Sequence, residues 1–233
     1  MDRLMAGLQK FQREVFPLKK ELFERLASGQ KPTTLFITCA DSRVVPDLFT
    51  QSEPGEIFVI RNAGNIVPAY RRPPGGVTAT IKFAVAVLGV KHIVICGHTD
   101  CGAMKGLLHP ETLTGVPAVA DWLGQAEATR RVVLDNYKDE DETTLVSAMI
   151  RENVLVQLQN LETHPSVLSR LASGNLMLYG WIYNIGTGEV ESFDADRQCF
   201  VRLDGSYSPH ATPVARLSRE GMLAASTSPV PML

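Results

Sequence analysis

Three short apolar and β-branched runs, Leu35 to Thr38, Ile57 to Ile60 and His92 to Cys96, recur in the first hundred residues, and helical patterning follows them. Runs of this length bounded by loop residues read as strands buried in a sheet. Between the second and third, Val77 to Leu88 is apolar nearly all round and follows Pro73, Pro74, Gly75 and Gly76, which predicts a buried helix fed by a loop. Strand, crossover helix and strand connect parallel neighbours. Helical patterns follow over about 118 to 136 and 144 to 161, and Leu176 to Ile185 and Glu189 to Phe193 flank Gly186-Thr187-Gly188 as a hairpin. The expected fold is α/β: a mostly parallel central sheet with an antiparallel edge, flanked by helices.

Ahead of the first strand, Leu4, Leu8, Phe11, Val15, Leu18 and Leu22 repeat at spacings of four and three, one apolar stripe along a helix that Pro17 breaks or kinks. This N-terminal arm, 1–30, packs either on its own domain or on a second subunit. From 206 to 233 the chain is rich in Ser, Pro and Ala and reads as a flexible tail, leaving residues 1–205 as a single domain. Lys plus Arg number 23 against 25 Asp plus Glu, a net charge of −2 with no basic block, which argues against nucleic acid as a partner. No apolar run is long enough to span a membrane and the start lacks a signal-peptide core, so a soluble, cytoplasmic protein is expected. Four cysteines are too few for a disulfide scaffold in a chain of 233 residues, and they suit a reducing compartment where thiolates bind metal.

Two of those cysteines have company. Cys39 follows the first strand run, and His98 and Cys101 follow the third within Gly97-His98-Thr99-Asp100-Cys101-Gly102. The carboxyl edge of an open parallel sheet is where ligands bind. Two thiolates and an imidazole from two strand ends match zinc, and three protein ligands leave a fourth position for water, as catalytic rather than structural sites do. Cys96, inside an apolar strand, and Cys199, beside Phe200, read as ordinary buried or late-loop residues, and His109 as a surface residue. Asp41, two residues after Cys39, can reach either the metal or Arg43; a bidentate Arg43 contact holds it ionised, whereas an Asx turn with a local ion pair is the plainer alternative.

Together, Cys-x-Asp-x-Arg and His-x-x-Cys-Gly resemble the β-class carbonic anhydrases, and Phe58-Val59-Ile60-Arg61-Asn62-Ala63-Gly64-Asn65 and Gly180-Trp181-Ile182-Tyr183 extend the likeness to about residue 195. The resemblance implies an enzyme hydrating carbon dioxide to bicarbonate through zinc-bound hydroxide, and a homo-oligomer built from dimers through the N-terminal helices. It matches Cys39, His98 and Cys101 to the zinc ligands and Asp41 with Arg43 to the catalytic dyad. It also places Gln30, Phe58, Ala63 and Phe83 in the substrate pocket, Phe83 standing where plant enzymes have Tyr. The Gly102 N–H is expected to bind developing bicarbonate oxygens. Phe36 stands where the subgroup with a second bicarbonate pocket has Trp, which favours the subgroup with an open zinc site. Ala128-Thr129-Arg130-Arg131 and Leu134-Asp135-Asn136-Tyr137 look like carboxysomal members, whose long C-terminal extension is mostly missing here, so carboxysome shell association is the least supported partner. Rival readings are hydrolysis of carbon disulfide or carbonyl sulfide at the same zinc, and a scaffold whose zinc is structural.

Overall fold

The computed structural model describes residues 1–205, and the tail expected from 206 lies outside the described residues. Strands β1 (Thr34–Cys39), β2 (Ile57–Asn62), β3 (His92–His98), β4 (Met177–Tyr183), β5 (Val190–Asp194) and β6 (Cys199–Arg202) join in the spatial order β2-β1-β3-β4-β5-β6. The pairs β1–β2, β1–β3 and β3–β4 are parallel, and β4–β5 and β5–β6 are antiparallel. From β1 the chain adds β2 on one side and β3 on the other, so the carboxyl ends of β1 and β3 flank a topological switch point, where open α/β sheets form crevices.

Alternation along β1 and β3 sends Leu35, Ile37, Ile93 and Ile95 into the main core, while Phe36, Val94 and Cys96 form a smaller cluster on the opposite face with Phe49 and Trp181. Helix α8 (Glu142–Glu162), capped by the Asp141 carboxylate on the Thr144 N–H at 2.9 Å, lies across the main face. Its Met149, Val154, Leu155, Leu158 and Leu161 are almost wholly buried, each burial contributing about 1.5–3 kcal/mol. Gly180 lets the helix come this close, since a Cβ there would sit 2.8 Å from a Val154 methyl. Helices α3 (Pro46–Thr50), α5 (Gly102–Leu108), α6 (Pro117–Leu123), α7 (Glu127–Tyr137) and α9 (Pro165–Ala172) complete the layers.

Two expectations need correction. The segment 77–88 is helical, α-helix over Gly76–Lys82 and a wider π turn over Phe83–Leu88, but it is not buried all round. Ile81, Ala84 and Val85 enter the core, whereas Phe83 is 43% and Val87 67% exposed. A helix apolar on every side has one side too many for a single neighbouring sheet. The late polar region around Cys199, for which no strand is predicted, forms edge strand β6, its register set by the Phe193–Phe200 pair.

The arm is two helices, Asp2–Lys10 and Lys20–Leu26, with Pro17 opening the short turn between them. Phe16 stacks on Phe23 at 5.3 Å, and Lys19 pairs with Glu53, so the second half is tied to the domain. The first helix buries no residue, and Leu4, Met5 and Leu8 stand exposed along its stripe.

Candidate metal centre

The sulfurs of Cys39 and Cys101 and a ring nitrogen of His98 lie within 4.8 Å of one another, all three residues being buried. Cys39 ends β1 and His98 ends β3, on either side of the switch point; Cys101 is the residue before α5. The backbone bends to bring Cys101 back because Asp100 takes a left-handed conformation, φ +58°. Cys96 is in the opposite-face cluster with its sulfur on the Gly97 carbonyl at 3.4 Å, and burial pushes its thiol up to about 12, so it stays neutral.

His98 Nδ1 lies 2.9 Å from the Thr99 carbonyl and must be the protonated nitrogen to bond it. In the neutral ring Nε2 then carries a bare lone pair, and it is buried with no hydrogen-bond partner among the described residues. Between the two thiols, Cys39 is the one lowered, to about 4, first by the Cys101 thiol beside it, against desolvation, with help from His98 and the Gly64 N–H. The same pairing and burial raise Cys101. Burial opposes a charge on His98, but the Cys39 thiolate more than offsets it. Two buried sulfurs cannot both ionise beside each other without a cation, and in its neutral form the imidazole turns a bare Nε2 lone pair toward them; a divalent, borderline-soft metal ion, in place of a proton on the ring, satisfies both demands.

Asp41 and Arg43 form the fork that their spacing allows. Asp41 Oδ1 accepts from the Arg43 backbone N–H at 2.9 Å and from Nε–H at 3.0 Å, and Oδ2 accepts from Nη2–H at 2.8 Å. These bonds hold the Asp41 carboxyl well below the usual carboxylate range. Oδ2 also lies 4.0 Å from His98 Nε2, which places the carboxylate at the edge of the cluster.

The sequence reading missed Asp100. Its Oδ2 accepts from Arg43 Nη1–H at 3.0 Å and its carbonyl from Nη2–H at 3.2 Å, while Lys105 pairs with its other oxygen. Lys105 first and then Arg43 lower its pKa. Arg61, quoted in a motif but given no role, donates to the Cys39 carbonyl at 3.1 Å and the Asp41 carbonyl at 2.6 Å, fixing the turn between Cys39 and Asp41.

Of the expected pocket residues, Phe58 and Phe83 meet at 6.1 Å between ring centroids. Ala63 leads into a tight turn, its carbonyl taken by Trp122 Nε1–H at 2.8 Å, and Gly102 opens α5 directly after Cys101. Gln30 is apart: it lines a cavity of about 420 Å³ between the arm and Pro54–Glu56, no other lining residue of which belongs to the cluster. His109 sits at the surface between Glu111 and Glu142.

A family model described as carbonic anhydrase matches residues 34–190. A carbonic anhydrase of Synechocystis sp. is 45% identical over 252 aligned positions, covering 100% of this chain and 92% of that protein. Among solved structures, the β-carbonic anhydrase CcaA superposes with a TM-score of 0.85 at 50% identity, over 87% of this chain and 99% of that one. One of two tetrameric β-carbonic anhydrases from Sordaria macrospora gives 0.67 at 31%, over 86% and 94%. The matched span takes in both strand ends that carry the cluster, and the superposition takes in the sheet that holds them; the chain therefore belongs to the β-class carbonic anhydrases.

Proposed function

We propose that this enzyme reversibly hydrates carbon dioxide to bicarbonate and a proton, using a zinc ion held by Cys39, His98 and Cys101. The observation that carries the reading is the buried, unpartnered His98 Nε2 between two thiols, with an Arg-clamped carboxylate 4.0 Å away. Zinc bound there supplies a nucleophilic oxygen at neutral pH by lowering the pKa of a coordinated water from about 15.7 to about 7. The chain's residues then orient and protect. Asp41 Oδ2 gives only one of its lone pairs to Arg43, and with another it would accept a hydrogen bond from the nucleophile that zinc would supply, orienting it toward the substrate carbon. Its low pKa keeps it an acceptor across the working range. Arg43, braced by Asp100, keeps the carboxylate from becoming a ligand itself, which is the open-site arrangement that Phe36 favours. Phe58, Ala63 and Phe83 offer an apolar lining suited to an uncharged gas.

The Gly102 N–H is assigned to a bicarbonate oxygen. Gln30 is assigned the same task from a second copy of the chain, because it lies with the arm in its own. A homo-oligomer also accounts for the bare stripe of the first arm helix and the exposed Phe83 and Val87. No helix among the described residues is long and apolar enough to cross a membrane.

Stopped-flow assays with carbon dioxide, carbonyl sulfide and carbon disulfide, on zinc-loaded and chelated protein, test the reading. Zinc-dependent turnover of carbon dioxide supports it. Zinc-loaded protein inert to carbon dioxide, or turnover indifferent to zinc, contradicts it.

A further inference from the structure

Behind the cluster, helix α8 is buried almost all round yet carries Asn153, Gln157 and Asn160 at spacings of four and three, one polar stripe aimed at a single loop. Asn153 Nδ2–H donates to the Gly64 carbonyl at 2.9 Å. Gln157 Nε2–H donates to Asn153 Oδ1 at 2.8 Å, and its Oε1 accepts from the Val67 N–H at 2.8 Å. Asn160 closes the ladder on the Val67 carbonyl at 2.9 Å. From the other side Trp122 holds the Ala63 carbonyl. From the loop so gripped, the Gly64 N–H donates to Cys39 Sγ at 3.4 Å. Gly64 is left-handed, φ +79°, and a Cβ on it would meet Met104 and Ala103 at 3.0 and 3.2 Å. The turn is built for this residue and this contact.

We infer that Asn153 and Trp122 are positioning residues of the metal centre, acting through the Gly64 amide to withdraw electron density from the Cys39 sulfur. Two thiolates donate more charge to a metal than imidazoles do, which weakens its power to acidify water, and a hydrogen bond on one sulfur takes part of that donation back. The ladder converts a buried helix face into control of one ligand's donor strength. The inference rests on the metal-site reading above and deepens it.

The test is the visible spectrum of the cobalt(II)-substituted protein, with Asn153→Leu and Trp122→Phe beside wild type. A sulfur relieved of its hydrogen bond gives up electrons more readily, so the sulfur-to-cobalt charge-transfer band moves to longer wavelength in both variants. The pH midpoint of carbon dioxide hydration moves upward with it. Trp122→Phe keeps an aromatic side chain but removes the indole N–H that holds the Ala63 carbonyl, so it decides the matter if Asn153→Leu does not fold. A merely structural role lowers thermal stability and leaves the band in place, and an unmoved band in a folded variant overturns the inference. Absence of any sulfur band in wild type overturns instead the assignment of the metal site.

Discussion

Cys96 and Cys101 are both buried thiols, 0% and 1% exposed, five residues apart, and replacing each by Ser separates a ligand from a packing residue. Cys96 packs with Phe36 and Val94 on the far face of the sheet, its sulfur on the Gly97 carbonyl. Cys96→Ser therefore puts a smaller, more polar group into an apolar cluster, a loss of about 1–3 kcal/mol when its hydrogen bonding is incomplete. For a chain of this size that lowers the midpoint of thermal unfolding by roughly 2–12 °C. Its zinc content stays at one per chain. Cys101→Ser removes one of three ligand atoms within 4.8 Å, and a neutral hydroxyl does not replace a thiolate on zinc. That variant loses zinc on dialysis against chelator. Elemental analysis after dialysis, with thermal unfolding at one fixed protomer concentration, reads both effects. Stoichiometric zinc in folded Cys101→Ser, or zinc loss in folded Cys96→Ser, would refute the ligand assignment.

Arg43→Ala frees Asp41 from its fork while leaving all three ligands, so zinc is retained and carbon dioxide hydration falls about 100-fold; near-normal rates with zinc bound would reduce the pair to a local turn contact. Deleting residues 2–26 removes a stripe that the protomer itself leaves exposed, so dimerisation by sedimentation and activity fall together, and an active monomer would return the arm to an intrachain role. His164 is buried, donates Nε2–H to the Pro68 carbonyl at 3.0 Å, and has its pKa lowered by desolvation. Below pH about 6.5 the unfolded chain takes up a proton that the folded chain resists, so stability falls as pH drops through that range. Urea midpoints at pH 7.5 and 5.5 should converge more closely in His164→Gln than in wild type; an equal drop in both would remove His164 from the acid response.

The parallel half of the sheet was legible because β1, β2 and β3 are apolar on both faces and bounded by loop residues. The Cys39, His98 and Cys101 cluster was legible because Cys39 and His98 fall at strand ends, where chain direction alone dictates exposure to the crevice. Asp100 was not, since its reach to Arg43 spans 57 residues and depends on one left-handed backbone angle. β6 is four residues long and owes its place to pairing with β5 rather than to its own pattern. For 77–88 the composition announced how much apolar surface exists, and a single chain's pattern does not say whose atoms cover it. The Asn153, Gln157 and Asn160 stripe did carry a signal, amide side chains at helical spacing within a run of buried residues, but its target loop is about 90 residues away.

Titrating zinc into metal-free protein while recording stopped-flow carbon dioxide hydration asks whether one zinc ion, held by Cys39, His98 and Cys101, carries the reaction. Activity should rise from background in proportion to zinc and stop rising at one ion per chain, with Cys101→Ser giving no rise at stoichiometric zinc. Full activity in the metal-free protein, or a rise in Cys101→Ser that matches wild type, would contradict it.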